Sequence, residues 1–143
     1  GLREIQPLRP NSLPSDGAGR MGVLDSPTTL AELLSRLKAI CPAERHSYVG
    51  ELDLRCHKIA IACGAAGEFL SDAAAMGCQV LITGETRFHT CLEARSLGTA
   101  LVLVGHYASE RPAVEQLASS LQTQWPSVKV WASRAETDPV RFT

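Results

Sequence analysis

Four short aliphatic runs constrain this chain more than anything else in it. They are Lys58–Cys63 (KIAIAC), Gln79–Thr83 (QVLIT), Thr99–Val104 (TALVLV) and Val128–Ala132 (VKVWA). Each has the length of a strand and is largely continuous in hydrophobicity rather than alternating. A strand that is apolar on both sides has to be covered on both faces, which points to parallel pairing with helices above and below. The intervening segments have helical length. An Ala-rich piece through Glu68–Met76 stops at Gly77, and a second from Thr86 to Leu97 stops at Gly98. A third carries Glu110 and sets Val114, Leu117, Ala118 and Leu121 at helical spacing. Strand and helix in alternation predict an α/β fold: a layered α/β/α lobe with a mostly parallel sheet.

Upstream of these runs, Thr29 and Glu32 have the spacing of a capping box. Leu30, Leu33, Leu34, Leu37 and Ile40 then form one apolar stripe of a helix that Pro42 closes. Such a stripe is core packing and requires no cofactor. The preceding GAGRMG (17–22) reads as a Gly-rich turn. Residues 1–16, with Pro7, Pro10 and Pro14 among polar neighbours, read as a linker or the remnant of a junction, holding no more than a short extended piece. The lobe itself is placed at 17–143.

The chain's 143 residues are enough for one domain with its own core. A net charge of −1 gives no general attraction for nucleic acid or for an anionic membrane. No apolar run approaches the roughly 18 residues of a membrane span, and the N-terminus lacks the basic-then-apolar pattern of a secretory signal. The five cysteines are odd in number and none forms a C-x-x-C pair. They read as reduced thiols of a cytoplasmic protein, not as a disulfide framework or a zinc knuckle.

In an open α/β sheet, ligands bind beyond the carboxyl ends of the strands. Three such ends are Gly-rich here: Gly64–Gly67, Thr83-Gly84-Glu85 and Gly105-His106. After the last of them, His106 and Glu110 stand at i and i+4, on one face of a helical turn. A nitrogen and a carboxylate so placed suit a divalent metal; a histidine hydrogen-bonded beside a turn is the plainer reading. One strand earlier, Glu85 and His89 repeat the spacing. They form either a second functional pair or an acidic residue favouring its helix N-terminus beside a surface histidine. His46 and His57, in less patterned sequence, are assigned to the surface. The loop Cys63–Glu68 could turn backbone N–H groups toward an anion, but it lacks the Lys-Ser/Thr of a phosphate loop, so close packing at Gly and Ala is the simpler explanation. Cys63 would be a nucleophile only with a base nearby. Ser109 has no G-x-S-x-G elbow around it.

The order of several motifs adds a resemblance. GAGRMG, TLAELLSRLK, IACGAAGEFLSDAAAMGCQVLITGE, GHYASERP and the terminal TDPVRF together resemble the C-terminal half of the NIF-three-like family (NGG-one-interacting factor three). Some members of that family carry the label GTP cyclohydrolase I type two. The resemblance implies an α/β protein of two similar lobes with a pair of divalent metal ions between them, assembled as a homo-oligomer, commonly a toroidal hexamer. It implies that His106 and Glu110 are metal ligands. It places Thr83-Gly84-Glu85 and the following His89 near the site, with Glu85 and His89 as candidates for orienting groups or moving protons. The family's first lobe contributes a His-His-Pro motif and a later Asp, and this sequence contains no His-His-Pro. The chain therefore resembles the second lobe alone and holds part of a site for Zn, Fe, Mn or Mg. The implied function is that of a metal-dependent hydrolase of unassigned substrate. The alternative is a non-catalytic interaction or scaffold protein with a protein partner and a structural or vestigial metal. The lone lobe is expected to bind metal weakly, to be inactive by itself, and to self-associate through the surface a first lobe would cover.

Overall fold

The computed structural model describes residues 1–13, 15–41, 43 and 45–141. In chain order the elements are β1 (Leu2–Gln6), β2 (Arg9–Pro10), β3 (Gly17–Ala18), β4 (Arg20–Thr29), α1 (Leu30–Ile40), β5 (Ser47–Val49) and β6 (Arg55–Ala62). They continue with α2 (Leu70–Ala75), β7 (Val80–Thr83), α3 (Phe88–Leu97), β8 (Ala100–Leu103) and α4 (His106–Gln124). Six strands form one sheet in the order β1-β4-β6-β7-β8-β5, and β2 pairs with β3 as a separate ribbon.

The sheet is mixed, which corrects the expectation of a mostly parallel one. Only β6–β7 and β7–β8 are parallel, whereas β1–β4, β4–β6 and β5–β8 are antiparallel. The parallel centre is the part whose strands are apolar on both faces. In β7 every residue is buried; Val80 and Ile82 face one core and Leu81 the other. Neighbouring strands repeat this alternation through Ile59 and Ala60 and through Leu101 and Val102. One core is closed by Leu30, Leu33, Leu34 and Leu37 of α1, and the opposite one by Phe69, Leu70 and Ala73 around α2 and Ala94 of α3.

The outer strands lie where the sequence pattern was weakest. Residues 20–29, the first three of them expected in a turn, form the longest strand among the described residues. Its register breaks between Val23 and Thr28, which lets Pro27 sit in a strand without costing a ladder hydrogen bond. Within residues 1–16, Leu2–Gln6 is the short extended piece, and it forms the edge strand against β4. That edge is itself irregular between Arg3 and Gln6, with Glu4 at φ 53°, and an irregular edge resists pairing with another chain. At the far edge, β5 occupies the open side of β8. The expected last strand at 128–132 has no regular structure, since the place it would take is filled; Val128 and Trp131 are exposed.

Helix α1 starts as its sequence predicts. The Thr29 hydroxyl accepts from the Glu32 N–H at 3.2 Å, and the Thr29 N–H donates to the Glu32 carboxylate at 2.9 Å. Ile40, placed in the apolar stripe above, is 74% exposed instead. The helix ends at this point and Cys41 turns inward against the Ala108 carbonyl. Pro42 lies outside the described residues. Replacing Thr29 with Ala removes one half of the reciprocal cap, and urea unfolding should show a loss of about 1 kcal/mol.

Candidate functional site

Three strand ends meet at one place, and glycine carbonyls and N–H groups tie them together. The Gly64 carbonyl, just past β6, accepts from the N–H groups of Gly84 (3.0 Å) and Glu85 (3.1 Å) and from the Thr83 hydroxyl (3.1 Å). The Gly105 N–H, past β8, donates to the Gly84 carbonyl at 2.9 Å. Gly84 has to be glycine, because a Cβ there would stand 2.7 Å from the Gly64 carbonyl oxygen and 2.9 Å from the His106 Cα. The loop at 63–68 therefore uses its polar backbone internally. The Gly64 N–H donates to the Ser109 hydroxyl and the Ala66 N–H to the Thr83 hydroxyl, so these two groups do not face an anion.

On this platform α4 begins with His106, and Glu110 follows one turn later. The imidazole lies between two carboxylates, with Nδ1 2.8 Å from Glu85 Oε1 and Nε2 3.3 Å from Glu110 Oε1. The hydrogen bond to Glu85 raises the His106 pKa above its ordinary 6.5, and the charges of Glu110 and Glu85 act in the same direction against partial desolvation. A raised histidine pKa means that the protonated ring stabilises the fold. This contribution is complete below the unfolded value near 6.5 and is lost as the pH rises through the folded value. Replacing Glu85 with Gln should lower the His106 pKa, read from its ring proton shifts, and should move that loss of stability to lower pH.

The side chains singled out from the sequence fare differently. Glu85 joins His106 and Glu110. His89, on the first turn of α3, is exposed and lies edge-on to Phe88 at 6.3 Å; among the described residues it makes no hydrogen bond or ion pair with the other three. His57 is exposed on β6. His46 is half-buried rather than on the surface, with Nε2 3.0 Å from the Cys41 carbonyl. The Ser109 hydroxyl accepts from the Gly64 N–H and donates to the His106 carbonyl at 2.8 Å, so it serves the platform rather than a substrate. Partial burial and the Glu110 charge push the Cys63 thiol upward, the opposite of what activates a nucleophile.

Sequence reasoning missed Arg111. Its side chain is only 16% exposed and holds Glu115 at 2.6 Å, the Ser133 carbonyl at 2.5 Å and the Glu136 carboxylate. These contacts fold the tail back along α4, so that Asp138 and Val140 wall a pocket of about 240 Å³ with Arg45, Glu85 and His106. On the other side of Glu85 lies a groove of about 550 Å³ lined by Glu68, Ser71, Arg87 and Glu93 among others. A basic residue directly after Glu110, with acids nearby in the tail, was the available signal. It becomes specific only when the tail is seen to return.

The donor set fits part of a metal site. With Nδ1 engaged by Glu85, the ring offers Nε2 toward Glu110, the arrangement in which an outer carboxylate orients a ligating histidine. Two donors 3.3 Å apart have the spacing of ligands sharing one ion at about 2.0–2.2 Å each. Among the described residues, no group of three or more His, Cys, Asp or Glu side chains is placed to hold a metal. The chain thus presents two donors and a supporting carboxylate, short of the roughly four ligands of a closed site.

Comparison with known proteins agrees with this partial character. The GTP cyclohydrolase 1 type 2 homolog of Nostoc is 32% identical over 125 residues, covering 86% of this chain and 47% of that protein. The homolog of Streptococcus pneumoniae is 33% identical over 148 residues, covering 97% and 54%. Among solved structures, the Bacillus cereus protein related to NIF3 superposes with a TM-score of 0.82 at 27% identity, covering 93% of this chain and 37% of its own. Staphylococcus aureus protein SA1388 gives 0.81 at 27% identity, covering 89% and 42%. The chain spans about half the length of the curated relatives just named. The signature of one family runs over residues 1–139, nearly the whole sequence, and with the shared fold and the motif at His106 it shows that the chain belongs to the Duf34/NIF3 (NGG1p interacting factor 3) family.

Proposed function

We propose that this chain is the second, metal-bearing lobe of a divalent-metal-dependent hydrolase. His106 and Glu110 contribute two ligands to a two-metal site whose other ligands come from outside these 143 residues. The observation that carries the reading is the line Glu85–His106–Glu110, set where three strand ends converge. Bound ions would lower the pKa of a coordinated water and polarise the substrate. Glu85 accepts a hydrogen bond from Nδ1–H and so holds the imidazole in the tautomer that leaves Nε2 available. The pocket between Glu85, His106 and the tail is the place beside the metal ligands where a small molecule would sit. The name carried by the relatives makes GTP the first compound to assay.

Elemental analysis tests the partial site. The purified chain should hold well below one equivalent of metal, and tight stoichiometric metal would overturn the reading. A second reading is an interaction protein with a structural or vestigial metal. It is favoured by α4, which has no buried residue and exposes Val114 and Leu117. Ala at His106 and Glu110, placed in a longer protein that contains this lobe, separates the two. Turnover lost with assembly intact identifies an enzyme, whereas unchanged partner binding without any turnover identifies the scaffold.

A further inference from the structure

We infer that Gly64 is a positioning residue for the His106–Glu110 pair: the missing side chain at this position is what leaves room for the Glu110 carboxylate beside the imidazole. The inference rests on the metal reading for its consequence, and on geometry for its cause. A Cβ built on Gly64 would stand 2.5 Å from Glu110 Oε1, 3.6 Å from Glu110 Cδ and 3.4 Å from His106 Nε2. It would fall beside the gap that the two donor atoms border, closer to the carboxylate oxygen than a carbon normally comes. The backbone cannot move aside, because Gly64 is held through both polar groups. Its carbonyl takes three donors from residues 83–85, and its N–H is bonded to Ser109, one residue before Glu110. A side chain at 64 would therefore be relieved at Glu110, by rotating the carboxylate away from His106.

A simpler account is that glycine is present only because the backbone is left-handed, at φ +73°. The molecule contains the controls that separate the two. Gly77 and Gly98 have nearly the same conformation, φ +71° and +68°, and a Cβ at either meets nothing within 4 Å. Alanine at these sites reports the conformational strain alone.

The first measurement needs no metal. In the metal-free protein, the Glu110 side-chain signals and the His106 ring signals should shift in Gly64→Ala and stay in place in Gly77→Ala, while the thermal midpoints of the two variants fall by similar amounts, because a half-exposed carboxylate swings aside at little cost. Unchanged Glu110 and His106 signals in Gly64→Ala would overturn the inference. So would failure of Gly64→Ala to fold where Gly77→Ala folds, since the conflict would then lie with something less mobile than a carboxylate.

The second measurement uses Mn²⁺ alone and follows broadening of amide signals near residues 64, 85 and 106–110. The unsubstituted chain should respond locally and Gly77→Ala should respond equally. Gly64→Ala should need at least about 10-fold more Mn²⁺. Equal response in Gly64→Ala overturns the inference while the metal reading stands. No response in the unsubstituted chain removes the metal reading and with it the consequence claimed here, while the Glu110 and His106 side-chain signals still decide whether Gly64 sets the position of Glu110.

Discussion

Replacing His106 with Ala should abolish the chain's response to divalent metal and leave the fold intact. The two halves of this expectation come from different parts of the structure. The side chain is 46% exposed and lies above the strand ends rather than in either core, so its removal opens no cavity. Among the described residues it is also one of two donors that converge, and the remaining carboxylate would have to hold an ion almost alone. Loss of an outer-shell partner typically weakens a site by about 10–100-fold; loss of one ligand of two should reach at least the upper end of that range. Glu85→Gln should fall within it, because the imidazole remains but is no longer oriented by a carboxylate. Titration with Mn²⁺ followed by amide broadening measures both, and circular dichroism verifies the fold. Equal response in the unsubstituted and His106→Ala chains would mean that the ion binds elsewhere. Metal and proton compete for the same ring, and the pKa of that ring is raised, so the apparent affinity should strengthen as the pH rises through the folded His106 value.

Replacing Leu101 with Ala should cost about 2–5 kcal/mol, a large part of the roughly 5–15 kcal/mol that holds a domain of ordinary stability. Leu101 is 0% exposed in β8 and packs in the core with Ala60, Leu81 and Ala94. Leu117 of α4 is the comparison. It has the same side chain but is 58% exposed, and Leu117→Ala should stay within about 0.5 kcal/mol in the isolated chain. Urea unfolding with an unchanged slope checks both. If Leu117→Ala proves as costly as Leu101→Ala, α4 is covered in solution by something the isolated fold does not provide.

The contrast between these two leucines also shows where sequence pattern stops being informative. Leu117 and its neighbours Val114 and Leu121 have helical periodicity, and α4 is indeed a helix, yet it buries none of its residues. Periodicity reports that one face is apolar and says nothing of what that face meets. The central strands were legible for the complementary reason. Val80–Thr83 and Ala100–Leu103 are apolar on both sides and have no stable alternative to being covered on both. The edge strands were not. Ser47–Val49 is short and polar, and Leu2–Gln6 is mostly exposed, so both are strands only because an open sheet edge accepts them. The run at 128–132 had the better strand composition but forms no strand, the place beside β8 being taken by β5.

By itself the sequence determined the alternating centre of the fold, the cap of α1 and the spacing that sets His106 and Glu110 on one helical face. All of these depend on residues close in the chain, whose mutual geometry follows from the helix or strand they belong to. The tertiary structure decided the rest. Glu85 is 21 residues from His106 and reaches it because β7 and β8 are adjacent and parallel, ending side by side. His89, with equal promise by spacing, lies exposed at the start of α3. Gly64 meets Glu110 only because three strand ends are drawn together by the carbonyl groups of Gly64 and Gly84. Contacts between residues distant in sequence depend on which strands pair and where each one ends, and no local pattern encodes that.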